Sequence, residues 1–308
     1  MKKFVLIDAN AIIHRAYHAL PKTLKAPSGQ LTNAVYGFTG ILLGILEVEQ
    51  PDYIATAFDM RGPTFRHAEM ADYKGTRAKT DDDLITQFPI VRQVLKALSV
   101  PIFEKAGLEA DDFLGIVAKE LEDEHKDIQT LIITSDQDAL QLVRQDTYVV
   151  TPISGYSKVK RYDRDAVKEK LGVWPEQVTD YKGLRGDSSD NIPGVPGIGA
   201  KGAARLLEEF GNLDALYERL EEVKPERIRE LLREHEDSAR LSKKVATILT
   251  EDGDLGFKIE DCAVDDFDID AVRALFDELR MRTPMRRVEA LSKEWEQKRV
   301  EEQWISLF

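Results

Sequence analysis

Short apolar runs that each end in a carboxylate constrain the fold of this chain more than any other feature. The runs and their acids are 4–7 with Asp8, 53–58 with Asp59, and 130–134 with Asp136. Uninterrupted apolar runs are typical of central parallel strands, which are buried on both faces. Helical patterns lie between these runs. This alternation predicts an α/β fold with a central, mostly parallel sheet flanked by helices.

A further acidic group, Glu109-Ala110-Asp111-Asp112, begins an apparent helix. Each acid alone could be a helix cap. The carboxyl ends of parallel strands meet at one edge of a sheet, however, so capping would have to be invoked separately at every position. Crowded carboxylates raise each other's pKa unless a cation neutralises them, and hard divalent cations prefer oxygen ligands. We therefore expect a Mg²⁺ site at this edge.

The same acids indicate a reaction class. Two Mg²⁺ ions roughly 3.5 to 4 Å apart would stabilise the attacking and leaving oxygens of an in-line phosphoryl displacement. The sequence offers no convincing Ser/His or Cys/His pair as a protein nucleophile. Phosphoryl chemistry without a covalent enzyme intermediate is therefore the first hypothesis.

A second acidic pair, Asp187 and Asp190, precedes a Gly-Val-Pro-Gly-Ile-Gly segment at residues 194–199. Glycines allow unusual backbone angles and let N–H groups approach phosphate, and the segment leads into a helix N-terminus. With predicted helices on both sides, it indicates a helix-hairpin-helix. A purely structural turn is the weaker alternative. A P-loop is excluded because the Gly-Lys-Ser/Thr ending is absent.

Charge is distributed unevenly along the chain. The 43 basic and 56 acidic residues give a net charge of -13, which argues against general coating of polyanions. Between residues 61 and 79 basic residues outnumber acids, and Phe65 and Tyr73 lie among them, a pattern expected for contacts with nucleic acid. A solvated loop is the alternative. The basic residues are Arg61, Arg66, Lys74, Arg77 and Lys79.

The single cysteine, Cys262, excludes an internal disulfide and fits a reducing compartment. No run approaches the roughly 20 apolar residues of a membrane span. We expect an intracellular protein without a membrane partner.

Six motifs together carry a family resemblance over about residues 4–291. They are Leu6-Ile7-Asp8-Ala9-Asn10, Arg15-Ala16-Tyr17-His18-Ala19, Tyr73-Lys74-Gly75-Thr76-Arg77, Glu109-Ala110-Asp111-Asp112, Thr134-Ser135-Asp136-Gln137-Asp138 and Gly186-Asp187-Ser188-Ser189-Asp190-Asn191-Ile192-Pro193-Gly194. In combination they resemble the flap endonuclease (5′ nuclease) superfamily, and in particular the 5′-to-3′ exonuclease domains of bacterial DNA polymerase I and the phage 5′ nucleases.

The resemblance implies a PIN-like α/β nuclease domain with two Mg²⁺ ions, for which Mn²⁺ can substitute. The first site would be lined by Asp8, Asp59, Glu109 and Asp111. Asp112 and Asp136 would lie between the sites, and Asp138, Asp187 and Asp190 would line the second. Asp8 and Asp136 would act in catalysis together with Lys74 and Arg77, which match residues that contact the scissile phosphate.

The DNA contacts are likewise implied by the resemblance. A helical arch of about residues 66–98 would carry Arg66 and Tyr73, with Tyr73 stacking on a base. The hairpin would grip duplex DNA through Gly194, Gly197, Gly199 and Lys201, and it often holds K⁺ in this family. Two positions depart from the family pattern: Ala9 replaces a common Gly, and Gly202 replaces a common Thr that supplies a hydroxyl contact to DNA.

The implied function is a structure-specific 5′ nuclease, both 5′-to-3′ exonuclease and 5′-flap endonuclease, in replication and repair. Its substrates would be DNA with 5′ flaps or 5′ ends, and RNA primers are a further candidate. A noncatalytic DNA-structure binder of the same fold is the main alternative, against which the intact set of acids speaks. An acidic-site phosphatase for small substrates is a weaker one, disfavoured by the arch and hairpin.

The expected organisation is a nuclease domain at 1–172, a helix-hairpin-helix helical domain at 173–291 and a tail at 292–308. The last six residues resemble the sliding-clamp-binding peptides of bacterial replication proteins, with Gln303, Leu307 and Phe308 as the anchors and one residue more between them than is commonest. Docking of these residues on their own domain is the alternative. No polymerase sequence follows Phe308, so we expect a stand-alone nuclease or an excised fragment, monomeric and in the bacterial cytoplasm.

Overall fold

The computed structural model describes residues 1–60, 62–251 and 255–305, with the side chains of 302–305 outside the description. Arg61 and three tail positions named above, the Gln303 side chain and all of Leu307 and Phe308, therefore lie outside the described residues. No helix in the described ranges combines the length and apolarity needed to cross a membrane.

A six-stranded sheet forms the centre of the molecule, in the order β3-β2-β1-β4-β5-β6. The strands are β1 Lys2–Asp8, β2 Tyr53–Ala57, β3 Ile102–Phe103, β4 Ile128–Ile133, β5 Thr147–Ser154 and β6 Lys158–Tyr162. Every neighbouring pair is parallel except β5 and β6, which form an antiparallel hairpin. The predicted mostly parallel sheet is confirmed.

The register brings the strand ends level at one edge. Asp8 lies opposite Ala57 of β2, and Ile7 lies opposite Ile133 of β4. The residues that follow β2 and β4 therefore leave the sheet beside Asp8, as the strand-end pattern predicted.

Helices cover both faces of the sheet and continue into a C-terminal helical region. They are α1 Ala9–Ala19, α2 Asn33–Glu49, α3 Phe65–Glu69, α4 Asp82–Ile85, α5 Phe88–Ala97, α6 Ala110–Glu124, α7 Arg164–Leu171, α8 Val178–Arg185, α9 Ala200–Phe210, α10 Leu213–Glu218, α11 Glu226–Glu234, α12 Glu236–Ala246, α13 Ile269–Glu278 and α14 Arg282–Ile305. The predicted hairpin segment lies between α8 and α9. The first part of the expected tail continues α14, where Trp295 contacts Phe267 with ring centroids 5.5 Å apart.

Alternate residues of β1 enter two different cores. Phe4 and Leu6 pack with α6 and with the helices after residue 172, whereas Val5 and Ile7 pack with α1, α2, α5, α13 and α14. This two-sided burial explains the uninterrupted apolar runs. The first core is continuous across residue 172, so the sheet and the C-terminal helices share one interior.

The arch is shorter than the sequence suggested. Residues 66–98 were expected to form it, but α5 is part of the second core, with Val91, Val94 and Leu95 fully buried. The amphipathic pattern of this stretch reflects packing into the second core, against α2 and α13. Residues 66–87, before α5, are left for the predicted arch, and the name arch refers to this segment below.

Candidate active site

Asp8 ends β1 and caps α1 at the centre of the sheet edge. Its Oδ1 accepts from the Ala11 N–H at 2.9 Å, and its Oδ2 accepts from the Thr134 hydroxyl at 2.8 Å. Burial, reinforced by the charges of Asp59 and Asp136, raises the pKa of Asp8 to about 7 despite these hydrogen bonds. Asp8 therefore both caps α1 and contributes a carboxylate to the site.

Asp59 follows β2 and connects it to the acidic motif on α6. Its Oδ1 accepts from the Ala110 N–H at 2.7 Å, at the first turn of α6, and its Oδ2 accepts from the Asn10 amide at 2.8 Å. Asp59 is thus joined by direct hydrogen bonds to α6 and to α1, which Asp8 caps, and the predicted convergence of these acids is observed.

Glu109 faces the base of the arch. Lys74 Nζ lies 2.6 Å from Glu109 Oε2, and the Tyr73 hydroxyl lies 3.3 Å from the same oxygen. Burial alone would lower the pKa of Lys74, but the charges of Glu109 and Asp111 raise it, so the ammonium keeps its proton in the cleft.

Asp111 is the least satisfied acid of the site. Its Oδ1 is buried without a hydrogen-bond partner. Burial, followed by the charge of Asp112, raises the pKa of Asp111 well above its usual value. An unpartnered buried oxygen of this kind calls for a cation or a proton.

Asp112 and Arg66 do not lie where the resemblance suggested. The two Asp112 oxygens each accept from the Arg66 guanidinium at 2.7 Å, and Asp112 also accepts from the Leu249 N–H at 3.0 Å. Arg66 further donates to the Val245 and Thr247 carbonyls, and both side chains are buried. Asp112 therefore offers no free oxygen to the cleft, and Arg66 offers DNA no surface. The pair joins α3 and α6 to the end of α12.

The other acids form a second group around a lysine. Lys182, on α8, donates a short hydrogen bond to Asp138 and lies 2.7 Å from Asp187 Oδ2. Burial and the charge of Asp136 raise the pKa of Asp138 to about 7. Burial would also raise the pKa of Asp187, but Lys182 and the Ser189 donors lower this pKa to about 2. Asp136 is fixed through its Oδ1, which accepts from the Asp138 N–H at 2.9 Å.

Asp190 is held by the base of the arch. Arg77 lies 2.5 Å from Asp190 Oδ1, and the Lys74 N–H donates to the Asp190 carbonyl at 2.9 Å. Tyr73 is buried and its hydroxyl reaches Asp190 Oδ2 at 3.3 Å, so it is not exposed for the expected base stacking. Its ring packs with Ile192 and Val245 instead.

A cleft of about 860 Å³ brings most of these groups together. Its carboxylates come from β1, the end of β2, α6, the segment after β4 and the turn after α8, and the arch, α1 and α8 supply the cations. The predicted site residues that line it are Asp8, Asp59, Glu109, Asp111, Asp136, Asp138, Asp187, Lys74 and Arg77. Asp112, Asp190, Arg66 and Tyr73 are not among its lining residues.

The carboxylates in this arrangement are bridged by cations of the protein itself. Within the described ranges, no three carboxylate, imidazole or thiolate groups converge as a ready-made metal site. The donor set nevertheless fits Mg²⁺, because the oxygens are hard, one Asp111 oxygen is unpartnered, and desolvation raises the pKa values of three aspartates of the cleft. The assignment of individual acids to one ion or the other stays a prediction.

The hairpin glycines differ in their roles. A Cβ on Gly194 would lie 2.2 Å from the Gly186 nitrogen, and the Gly194 N–H already donates to the Ser242 hydroxyl at 3.0 Å. Gly194 is therefore needed for close packing of the turn rather than for phosphate contact. Gly199 caps α9 with open space around it, and Lys201 is exposed on the first turn of α9.

Sequence reasoning missed Lys182. It lies five residues before Asp187 on a predicted helix, where a lysine is normally solvated. Its position facing the second acid group depends on how α8 packs against the segment after β4. A lysine on an otherwise buried helix face, between Tyr181 and Gly183, was the available signal.

Two family models together match residues 3–270. The 5′-3′ exonuclease N-terminal resolvase-like domain matches residues 3–172, and the 5′-3′ exonuclease C-terminal SAM fold matches residues 173–270. A sheet-edge carboxylate cleft followed by a helical hairpin region is the two-part organisation of the 5′-3′ exonuclease class that these models describe. The chain belongs to the 5′-3′ exonuclease family.

Known relatives agree with this assignment. DNA polymerase I of Bacillus caldotenax is 41% identical over 295 residues, 96% of this chain and 33% of the relative. DNA polymerase I of Chloroflexus aurantiacus is 42% identical over 279 residues, 89% of this chain and 29% of the relative. The chain thus spans about a third of the length of the curated relatives it matches.

Solved structures share the fold at low sequence identity. The phage T5 D15 protein, co-crystallised with metal ions, superposes with a TM-score of 0.67 at 19% identity, covering 94% of this chain and 100% of that one. The catalytic core of Rad2 in complex with DNA substrate gives 0.61 at 17% identity, with 94% and 92% covered.

Proposed function

We propose that this chain hydrolyses phosphodiester bonds at 5′ flaps and 5′ ends of DNA with two bound Mg²⁺ ions, in replication and repair. The observation that carries the proposal is the cleft itself. Carboxylates from five separate segments line it, and the arch places Lys74 and Arg77 beside them. A general helix-capping role for the acids would not require that convergence.

In this proposal the carboxylates bind the ions, and the cations of the arch orient the substrate. Asp8, Asp59, Glu109 and Asp111 would hold one ion and Asp138 and Asp187 the other, with Asp136 between them. Bound Mg²⁺ supplies positive charge for the attacking and leaving oxygens of an in-line displacement. Lys74 and Arg77 now pair with Glu109 and Asp190, and a substrate phosphate gives these cations a second charge-assisted partner, which orients the scissile group.

A 5′-flap duplex with a labelled flap strand tests this function. We expect Mg²⁺-dependent cleavage that falls more than about 100-fold in Asp136→Asn, because loss of an outer-shell partner alone costs up to about 100-fold. Asp277→Asn, which removes an exposed carboxylate on α13, is the matched control and should cleave at the wild-type rate. Duplex binding without cleavage, unaltered by Asp136→Asn, would instead establish a noncatalytic DNA-structure binder.

Finer properties of the nuclease follow from the same hypothesis. Mn²⁺ would replace Mg²⁺, and K⁺ would bind at the hairpin turn beside Gly197 and Gly199 where duplex DNA docks. Flaps with an RNA 5′ segment are candidate substrates. The enzyme would act as a monomer in the bacterial cytoplasm.

A replication sliding clamp is the proposed protein partner of the tail. The support is the order of Gln303, Leu307 and Phe308 in the sequence, which resembles clamp-binding peptides. Comparing clamp affinity of the full chain with that of a chain ended at residue 302 tests this partner, and equal affinities would remove it.

A further inference from the structure

Four lysines form a basic strip on the edge of the sheet, apart from the carboxylate cluster. The strip consists of Lys158 and Lys160 on β6 and Lys168 and Lys170 on α7. Three of them are exposed, Lys168 is half-buried, and across the described ranges none of the four has an acidic ion-pair partner. The neighbouring Arg164, in contrast, is paired with Glu176 at 2.9 Å.

Three of the four lysines lie over aromatic rings, and two of them share one ring. The Lys160 and Lys170 ammonium groups lie 5.0 and 5.6 Å from the centroid of the same Tyr162 ring. Lys168 lies 5.5 Å from the Trp174 centroid. Lys158 and Lys160 are two residues apart on β6, so they share a face at about 6.6 Å spacing. The strand and the helix therefore present their charges together.

The strip is continuous with the active-site cleft. Leu171, the residue after Lys170 and the last of α7, lines the cleft, and so does the exposed Arg185 at the end of α8. A polymer whose reacting phosphate lies in the cleft can extend directly over α7 to β6. The strip is thus placed where the rest of a cleft-bound nucleic acid would run.

We propose that the basic strip binds the phosphate backbone of one duplex arm of the DNA whose 5′ strand occupies the cleft. This inference rests on the proposed function. Clustered lysines with no acidic ion-pair partner in the described part of the chain suit sequence-independent contact with phosphates. Lysines on an edge strand also hinder edge-to-edge pairing, but that explains only the β6 pair and not the two lysines on α7.

The test replaces Lys158, Lys160 and Lys170 together by glutamine and measures binding of a 5′-flap DNA with long duplex arms at several salt concentrations. Each lost phosphate contact lowers the salt slope of log affinity by about 0.9, so we expect a decrease of about 2 to 3. Affinity at low salt should fall at least about tenfold, and cleavage at saturating DNA should stay at the wild-type rate. Shortening the duplex arms should abolish the difference.

Two further variants complete the experiment. Lys96→Gln, Lys126→Gln and Lys258→Gln together remove three exposed lysines elsewhere and should retain the wild-type slope. Arginine at the three strip positions should restore binding. An unchanged salt slope in the strip variant overturns the proposal, and it is the result expected if the strip instead docks an acidic protein. An equal loss of binding in the control variant also overturns the proposal. Wild-type protein that binds but never cleaves would contradict the proposed function, while the slope comparison would still decide the strip.

Discussion

Desolvation in this cleft makes the ionised form of several single aspartates unfavourable. Burial raises the pKa of Asp8 from 3.8 to about 7, and it raises those of Asp111 and Asp138 as well. A buried carboxylate of this kind prefers a proton when no cation is bound. Stability of the metal-free protein should therefore depend on pH in a defined direction.

Between about pH 4 and 7 the folded state keeps a proton on Asp8 that the unfolded state has lost, so stability falls as pH rises through this window. Asp8→Asn removes the titration. In the presence of a chelator at pH 8 it should be more stable than wild type by at most about 4 kcal/mol, and at pH 4 the two should agree. Urea unfolding at both pH values measures this.

The matched comparison is Asp277→Asn, whose stability should follow wild type at both pH values. Saturating Mg²⁺ should stabilise wild type more than Asp8→Asn, since an ion that binds only the folded state adds its binding free energy. A stability difference of the same size at pH 4 and pH 8 would show that the carboxylate charge is not its cause.

The helix α6 shows at the element scale how the acidic motif is held in place. Its N-terminus receives Asp59, and its Asp112 is tied to Arg66 and to the Leu249 N–H. Gly115 permits the close approach, because a Cβ there would lie 2.4 Å from the Leu249 carbonyl oxygen and 2.7 Å from Ile248 Cγ2. The segment after α12 is therefore pressed against one turn of α6.

Gly115→Ala should destabilise the protein by about 1 to 3 kcal/mol, because overpacking against a backbone carbonyl outweighs the gain of about 1 kcal/mol in helix propensity. Gly202→Ala on α9 is the matched change. The nearest atom to its added Cβ is Ile198 Cγ2, at 3.6 Å, so it should be neutral or stabilising. Thermal unfolding of both variants measures the contrast, and equal effects would exclude the packing explanation.

Local patterns were sufficient for the elements but not for the partners of charged residues. Strands β1, β2 and β4 coincide with the apolar runs to within two residues, and the acids at strand ends were found because parallel strands end at one edge. Arg66 was interpreted as an exposed DNA contact, whereas it is buried against residues 46 and 179 positions away, Asp112 and Val245. Tyr73 was misjudged for the same reason. Short-range sequence patterns contain no information about side-chain pairs so far apart in the chain.

At the scale of the whole molecule, the two family models meet at residue 172, but the interior does not divide there. Phe4 and Leu6 of the sheet share one core with Leu184, Leu206 and other residues of the C-terminal helices. A boundary in sequence is therefore not a boundary in packing.

We expect the chain to unfold in one cooperative transition. Far-ultraviolet circular dichroism and tryptophan fluorescence, with probes such as Trp174 and Trp295 in different parts of the chain, should give coincident urea curves, because a shared core cannot be lost from one part alone. Two separated transitions would show that the parts on either side of residue 172 are independent folding units.

The backbone contact between Lys74 and Asp190 has a consequence for substrate choice. The Lys74 N–H donates to the Asp190 carbonyl, and the Asn191 amide donates to the Asp72 carbonyl at 2.9 Å. The turn that leads into the predicted helix-hairpin-helix is thus the same turn on which the segment with Asp72 and Lys74 rests. If the chain cleaves DNA as proposed, a duplex that docks on the hairpin and shifts this turn would shift Lys74 too, so the shape of the substrate would control cleavage without any base being read.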